Sequence, residues 1–292
     1  MASMIDRRTF LVGAGASALL AACGGSGNDA APADRFAARF SAPFSVVADG
    51  SPQRTVWGIA DQAGPLPITD VPERVVIAIA RDGELVAPRV DVFARADGVP
   101  FPYYPVRTNF DEPGIYDVEI SWNGGVLQSA IQAFAPEDVE LLQPGVAMPA
   151  IDTPTFDDAR GVDPICTRLE ICPFHGVTLG EALEDGLPTV LVVSTPGFCQ
   201  TAVCGPMLEL LIEIDGQRPG AFSAVHAEVY DDPQALSENA AVPTAIMDAT
   251  GMTQAGFEPS MFFIDPDGIL TERLDNVVDR SEMNEAIDRL LT

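Results

Sequence analysis

The chain has 292 residues, 43 of them acidic and 16 basic, for a formal charge of −27, and every basic residue is an arginine. That length exceeds one typical domain, and a hydrophobic content of 47% is enough for ordinary globular cores. A surface this acidic repels phosphate backbones, which argues against nucleic acid as a partner.

The first segment reads as a targeting signal and stands outside the fold. Arg7 and Arg8 precede an apolar stretch from Val12 to Ala22, which is short for a bilayer core that takes ~20 residues to cross. Arg7-Arg8-Thr9-Phe10-Leu11 resembles the twin-arginine export signal, with Asp6 where that family usually has Ser or Thr. Leu20-Ala21-Ala22-Cys23 resembles the lipobox of bacterial lipoproteins. The resemblance implies that residues 1–22 are removed, that Cys23 carries a lipid, and that the protein is anchored on the extracytoplasmic face of a membrane. Gly24-Gly25-Ser26-Gly27 suits a flexible tether, taken to span residues 23–35.

Residues 36–138 are expected to form an all-β sandwich. Arg74 to Ala80 is a β-branched run, and Asp82-Gly83 supplies a hairpin turn before Leu85-Val86. From Ile115 to Trp122, Tyr116, Val118, Ile120 and Trp122 point one way, while Asp117, Glu119 and Ser121 point the other. Pro113-Gly114 opens that strand and Asn123-Gly124 closes it. The Pro-Gly-x-Tyr-x-Val pattern resembles extracytoplasmic immunoglobulin-like modules, which implies a spacer or docking unit without chemistry.

Pro136 to Pro149 reads as a junction, and from residue 144 to 292 strand and helix signals alternate, the mark of an α/β domain. Thr178-Leu179-Gly180-Glu181 is a capping-box start for a helix running to Gly186. Thr189 to Ser194 suits a buried central strand, Met207 to Ile214 an apolar helix, and Ala221 to Tyr230 a second strand. Ser260 to Asp265 and Ile269 to Leu274 flank a Pro266-Asp267-Gly268 turn, and an amphipathic helix begins near Asp279 or Ser281.

Apart from Cys23, four cysteines remain: Cys166, Cys172, Cys199 and Cys204. An even number in an oxidising compartment suggests disulfides. Pairing of nearest neighbours, Cys166 with Cys172 and Cys199 with Cys204, needs the least rearrangement of chain, the first pair serving as a structural staple. Metal ligation is the rival reading, although His175 and His226 are not at finger-like spacing.

Val190-Leu191-Val192-Val193-Ser194-Thr195-Pro196-Gly197-Phe198-Cys199 resembles the central strand of thioredoxin-like proteins leading into their nucleophilic cysteine. Gly256-Phe257-Glu258-Pro259-Ser260-Met261-Phe262-Phe263-Ile264-Asp265 resembles the segment that carries their cis-proline, here Pro259, and the hairpin after it is common in the TlpA-like branch. The resemblance implies Cys199 as nucleophile, Cys204 as resolving thiol and Pro259 as the substrate-positioning residue, with no dissociable cofactor. A cysteine between a buried strand and a helix start also lies where backbone N–H groups stabilise a thiolate.

Thioredoxins separate their cysteines by two residues, whereas Cys199-Gln200-Thr201-Ala202-Val203-Cys204 has four between. On a regular helix those sulfurs point apart, so a bond between them requires Cys199 to Val203 to be irregular and the helix to begin near Gly205-Pro206. Val193 stands where thioredoxin has its buried acid, so a proton must come from elsewhere. The five-residue spacing is similar to the bacterioferritin-comigratory peroxiredoxins, although Thr195 stands one residue too early and Pro259 occupies the place of their arginine. Sco-type copper chaperones have a histidine near the place of Phe257; His175 and His226 read as structural or surface residues. The leading expectation is a membrane-anchored thiol–disulfide oxidoreductase acting on thiols or disulfides of the cell envelope. A thiol peroxidase and a partner- or copper-binding lipoprotein are the alternatives.

Overall fold

The computed structural model describes residues 34–199, 202–238 and 241–292. The twin-arginine segment and Cys23 lie outside the described residues. The first half of the chain contributes β1 (Phe36–Arg39), β2 (Pro52–Asp61), β3 (Gly64–Pro65), β4 (Arg74–Arg81), β5 (Glu84–Leu85), β6 (Val90–Phe93), β7 (Tyr104–Asn109), β8 (Gly114–Trp122) and β9 (Gly125–Ala133). Strand β2 pairs with β1, β3 and β7 in one antiparallel sheet; β4 pairs with β5, β6 and β8 in another, to which β9 adds through β8. The two sheets share one apolar core, to which β2 and β7 give Trp57, Ile59, Tyr104 and Val106, and β4 and β8 give Ile77, Ile79, Val118 and Ile120.

The expected alternation along β8 holds: Tyr116, Val118 and Ile120 are buried while Ile115 and Asp117 are exposed, with Trp122 half-buried at the end. Two-residue turns join the hairpins as the sequence suggests. Asp82 and Gly83 both adopt positive φ between β4 and β5, which the right-handed strand twist favours.

The second half contributes α1 (Leu179–Glu184), β10 (Thr189–Val193), α2 (Cys204–Gln217), β11 (Ser223–Ala227), α3 (Ala245–Ala249), α4 (Met252–Ala255), β12 (Ser260–Ile264), β13 (Leu270–Asp275) and α5 (Arg280–Leu290). Its sheet runs β11-β10-β12-β13, with β10 parallel to β11 and antiparallel to β12. Every residue of β10 is buried because both faces of the sheet are covered. Val190 and Val192 point to the face packed by α2 and α5; Leu191 and Val193 point to the face packed by α1, α3 and α4.

Several boundaries shift from expectation. Helix α2 begins at Cys204 and runs to Gln217, three residues beyond Ile214. Strand β11 stops at Ala227 instead of Tyr230, because the following backbone turns to side chains: Val229 N–H donates to Thr195 Oγ1, and the Glu228 carbonyl accepts from Thr244 Oγ1. The Pro136–Pro149 junction is stitched to the sheet edge, with Gly145 N–H donating to the Leu270 carbonyl and Leu270 N–H to the Val146 carbonyl.

The β-rich half packs directly on the α/β half. Arg54 of β2 forms a bidentate pair with Glu282 of α5, at 2.7 Å to each oxygen, with both side chains almost fully buried. Burial alone would raise the Glu282 carboxyl, but the Arg54 guanidinium outweighs it and holds the group below its ordinary value. Tyr103 donates its hydroxyl to Glu282 and accepts from Asp279 N–H, so a buried network spans the two halves.

Candidate active site

Strand β10 delivers the chain to the site. After Val193 the backbone leaves the sheet through Ser194 and Thr195, turns over Pro196–Phe198, and reaches Cys199. Cys199 and Cys204 form a disulfide with a Cα–Cα separation of 6.0 Å. Ala202 has a positive φ of 57° and Val203 caps the helix, so Cys199 stands outside α2 and Cys204 is its first residue. Cys199 is half-buried, whereas Cys204 is fully enclosed beneath the helix start. One sulfur-bearing residue therefore meets solvent and its partner does not.

Pro259 precedes β12 and follows a cis peptide bond. The register pairs Val193 with Ser260, so Glu258 and Pro259 continue opposite Ser194 and Thr195. This brings Glu258 to the disulfide: a carboxylate oxygen and the sulfurs of Cys199 and Cys204 all lie within 4.8 Å of one another. Glu258 also accepts a hydrogen bond from Thr195 N–H. Burial pushes its carboxyl up to about 7, against the pull of that bond. A buried carboxyl thus stands beside the sulfurs from the side of the site opposite Val193. Its signal in the sequence was a glutamate directly before the proline expected to be cis.

A second buried acid lies close by. Glu228, just beyond β11, accepts from both Thr167 N–H and Thr167 Oγ1, and burial pushes it up to about 8. Among the described residues its Oε2 has no hydrogen-bond partner. Thr167 Oγ1 also accepts from Gly197 N–H, so one threonine joins the Cys166 loop to the turn before Cys199. A Cβ at Gly197 would stand 2.7 Å from the Thr167 carbonyl, which makes this a place where only glycine fits without movement.

The expected disulfide between Cys166 and Cys172 is not formed: both are free, buried thiols. His175 and His226, expected to be structural or surface residues, are both fully buried and turned toward the two sulfurs. A hydrogen bond between the thiols lowers the pKa of Cys166 and raises that of Cys172. Sequence spacing concealed the cluster because His226 comes from a strand, while the other three residues come from one loop.

No family model and no curated protein matches the chain. Among solved structures, it is similar to a thiol:disulfide interchange protein of the thioredoxin family from Chlorobium tepidum TLS, at 13% identity and a TM-score of 0.36, over 52% of this chain and 99% of that one. It is also similar to a superoxide reductase (neelaredoxin) from Ignicoccus hospitalis, at 15% identity and a TM-score of 0.24, over 35% of this chain and 82% of that one. Likenesses at such TM-scores fix neither fold nor function.

Proposed function

We propose that the chain is a thiol–disulfide oxidoreductase with a thioredoxin-like second half, acting through Cys199 and Cys204. One observation carries this reading: a disulfide between a half-buried Cys199 and an enclosed Cys204, with the Glu258 carboxyl beside both sulfurs. Thiol–disulfide exchange needs one sulfur open to attack and a leaving thiolate that can be protonated. A carboxyl poised near pH 7 is suited to hold and return that proton.

When the substrate is a dithiol, its thiolate attacks Cys199 Sγ and the 199–204 bond breaks. The electron pair leaves on Cys204 Sγ, which takes the proton held by Glu258. The second substrate thiol gives its proton to the Glu258 carboxylate and attacks the substrate sulfur of the mixed disulfide. Cys199 leaves as a thiolate, so the substrate is oxidised by two electrons and the 199–204 pair is reduced. The same steps run backward reduce a substrate disulfide. The start of α2 favours the thiolate form of either cysteine, because its first N–H groups have no intrahelical acceptor.

Pro259 would position substrate in this reading, at a cleft lined by Phe198, Tyr230, Met247, Phe257, Glu258 and Asn276. An apolar wall with a few polar groups, Glu258 and Asn276 among them, suits an extended protein segment. The N-terminal resemblance extends the proposal: export, lipid attachment at Cys23, and an immunoglobulin-like first half that holds the site off the membrane. Among the described residues no helix is long and apolar enough to cross a membrane. The test is exchange between the purified protein and a model peptide disulfide. Turnover abolished by Cys199→Ser supports the reading; peroxide consumption without disulfide exchange overturns it in favour of a peroxidase.

A further inference from the structure

Cys166, Cys172 and His175 belong to the loop between β9 and α1, and His226 to β11. The loop lies against the free edge of β11, where His226 N–H donates to the Phe174 carbonyl. All four side chains are buried, and one ligand atom from each lies within 4.8 Å of every other.

The outer hydrogen bonds decide which ring nitrogens carry protons. His175 Nδ1 is 3.3 Å from the Pro154 carbonyl, and His226 Nε2 is 3.1 Å from the Ser194 carbonyl. Carbonyl oxygens only accept, so both of these nitrogens donate, and the Ser194 hydroxyl, 3.2 Å from His226 Nε2, is a second acceptor for that proton. The inward nitrogens, His175 Nε2 and His226 Nδ1, then present lone pairs to each other at 3.2 Å. Two facing lone pairs at that distance repel unless a cation sits between them or a thiol proton is directed at one of them, as from Cys172 Sγ at 3.5 Å from His226 Nδ1. Buried metal-binding histidines are held in this way, with the outer nitrogen fixed by a carbonyl.

The spacing matches a tetrahedral ion. Zinc–sulfur bonds of about 2.3 Å and zinc–nitrogen bonds of about 2.05 Å put two nitrogens about 3.3 Å apart and a sulfur and a nitrogen about 3.6 Å apart. The observed separations are 3.2 Å between the nitrogens and 3.5 Å from Cys172 Sγ to His226 Nδ1. We propose that Cys166, Cys172, His175 and His226 form a closed, four-ligand zinc(II) site that fastens the Cys166–His175 loop to the edge of β11. Binding exchanges two S–H bonds for two sulfur–zinc bonds and releases two protons; no electrons move. With four protein ligands and no open position, the ion has a structural role. The site is separate from the Cys199–Cys204 disulfide and does not rest on the reading of that pair.

The experiment loads the reduced, purified protein with zinc, removes excess, and measures metal by mass spectrometry. A parallel sample receives cobalt(II). One zinc per chain, together with the visible d–d bands of tetrahedral cobalt and a thiolate-to-cobalt charge-transfer band, is the expected result. Cys172→Ser and His226→Gln should each lower zinc affinity at least tenfold, while Cys199→Ser leaves stoichiometry unchanged. Three results on the unmutated protein overturn the proposal: no bound zinc with thiols intact, a Cys166–Cys172 disulfide found by peptide mapping of the protein as isolated, or stoichiometric copper(I) binding with zinc excluded.

Discussion

Cys199 and Cys204 are close in sequence, joined to each other, and accompanied by a carboxyl and a cleft. Cys166 and Cys172 are one residue further apart in sequence, and they are free thiols that share their pocket with two imidazoles. The first pair sits where strand β10 runs into a helix, with one cysteine half-buried; the second is sealed against the edge of β11. What separates an exchange site from a proposed ligand site is thus the third partner and the access to solvent, since the thiols themselves are alike. Thr167 and Gly197 touch between them.

The sharpest way to break the comparison is to remove one sulfur at a time. Cys199→Ser should abolish exchange, a loss of at least ~10³-fold. Cys204→Ser should stop turnover as completely but leave Cys199 able to form a stable mixed disulfide, visible as a mass adduct with substrate. Cys166→Ser should leave exchange chemistry in place. If Cys166→Ser abolishes turnover while Cys199→Ser does not, the roles of the two pairs are reversed.

Glu258 gives the next largest effect. Glu258→Gln should slow exchange by about 10²-fold, the lower range for loss of a general acid–base group. It should also remove an inflection near pH 7 from the rate profile. The sign of the stability change is equally specific. The folded protein keeps this proton up to about 7, while an ordinary glutamate loses it near 4.5, so the folded state binds more protons in between. Glu258 therefore contributes its full stability below about pH 4.5 and loses it as pH rises through 7. Denaturation curves across that window should fall with pH in the native sequence and flatten in Glu258→Gln. A pH-independent difference between the two proteins would show that Glu258 does not titrate there.

Gly197→Ala probes the contact between the two sites. The new Cβ would meet the Thr167 carbonyl at 2.7 Å, so backbone must move. The expected loss is about 1–3 kcal/mol, the range for overpacking. A change below the error of a denaturation curve would show that the turn and the loop are not in tight contact.

The parts of this molecule that were legible in the sequence are those governed by local pattern. Alternation named the buried face of β8, the Asp82-Gly83 turn named a hairpin, and the Thr178–Glu181 capping box formed as expected. A 199–204 bond needs an irregular approach to α2, and the helix begins at Cys204 itself, one residue before the expected Gly205-Pro206. The missed features depend on tertiary approach. Glu258 reaches the sulfurs only because β10 and β12 pair in the register of Val193 with Ser260. His226 reaches Cys172 only because a loop folds over the edge of β11. Arg54 and Glu282 lie 228 residues apart in sequence and meet in a buried pair that no local pattern announces.

Thr167 offers the finest test, because its hydroxyl serves both neighbourhoods at once. Oγ1 donates to Glu228 Oε1 at 3.0 Å and accepts from Gly197 N–H at 2.9 Å. Thr167→Val keeps the volume and removes both bonds, leaving Gly197 N–H without that acceptor and Glu228 Oε1 with only the Thr167 N–H. A buried polar group deprived of its partner costs about 1–3 kcal/mol, and the exposed position of Gly197 lets water repair part of it, so about 1 kcal/mol is expected. Thr167→Ser retains the hydroxyl and should recover most of that loss, which an effect of side-chain volume would not reproduce. Exchange rates should change less than threefold in both variants, since Thr167 supplies no group to the exchange steps. A tenfold fall in exchange for Thr167→Val, rescued by Thr167→Ser, would instead make this threonine a positioning residue for the turn before Cys199.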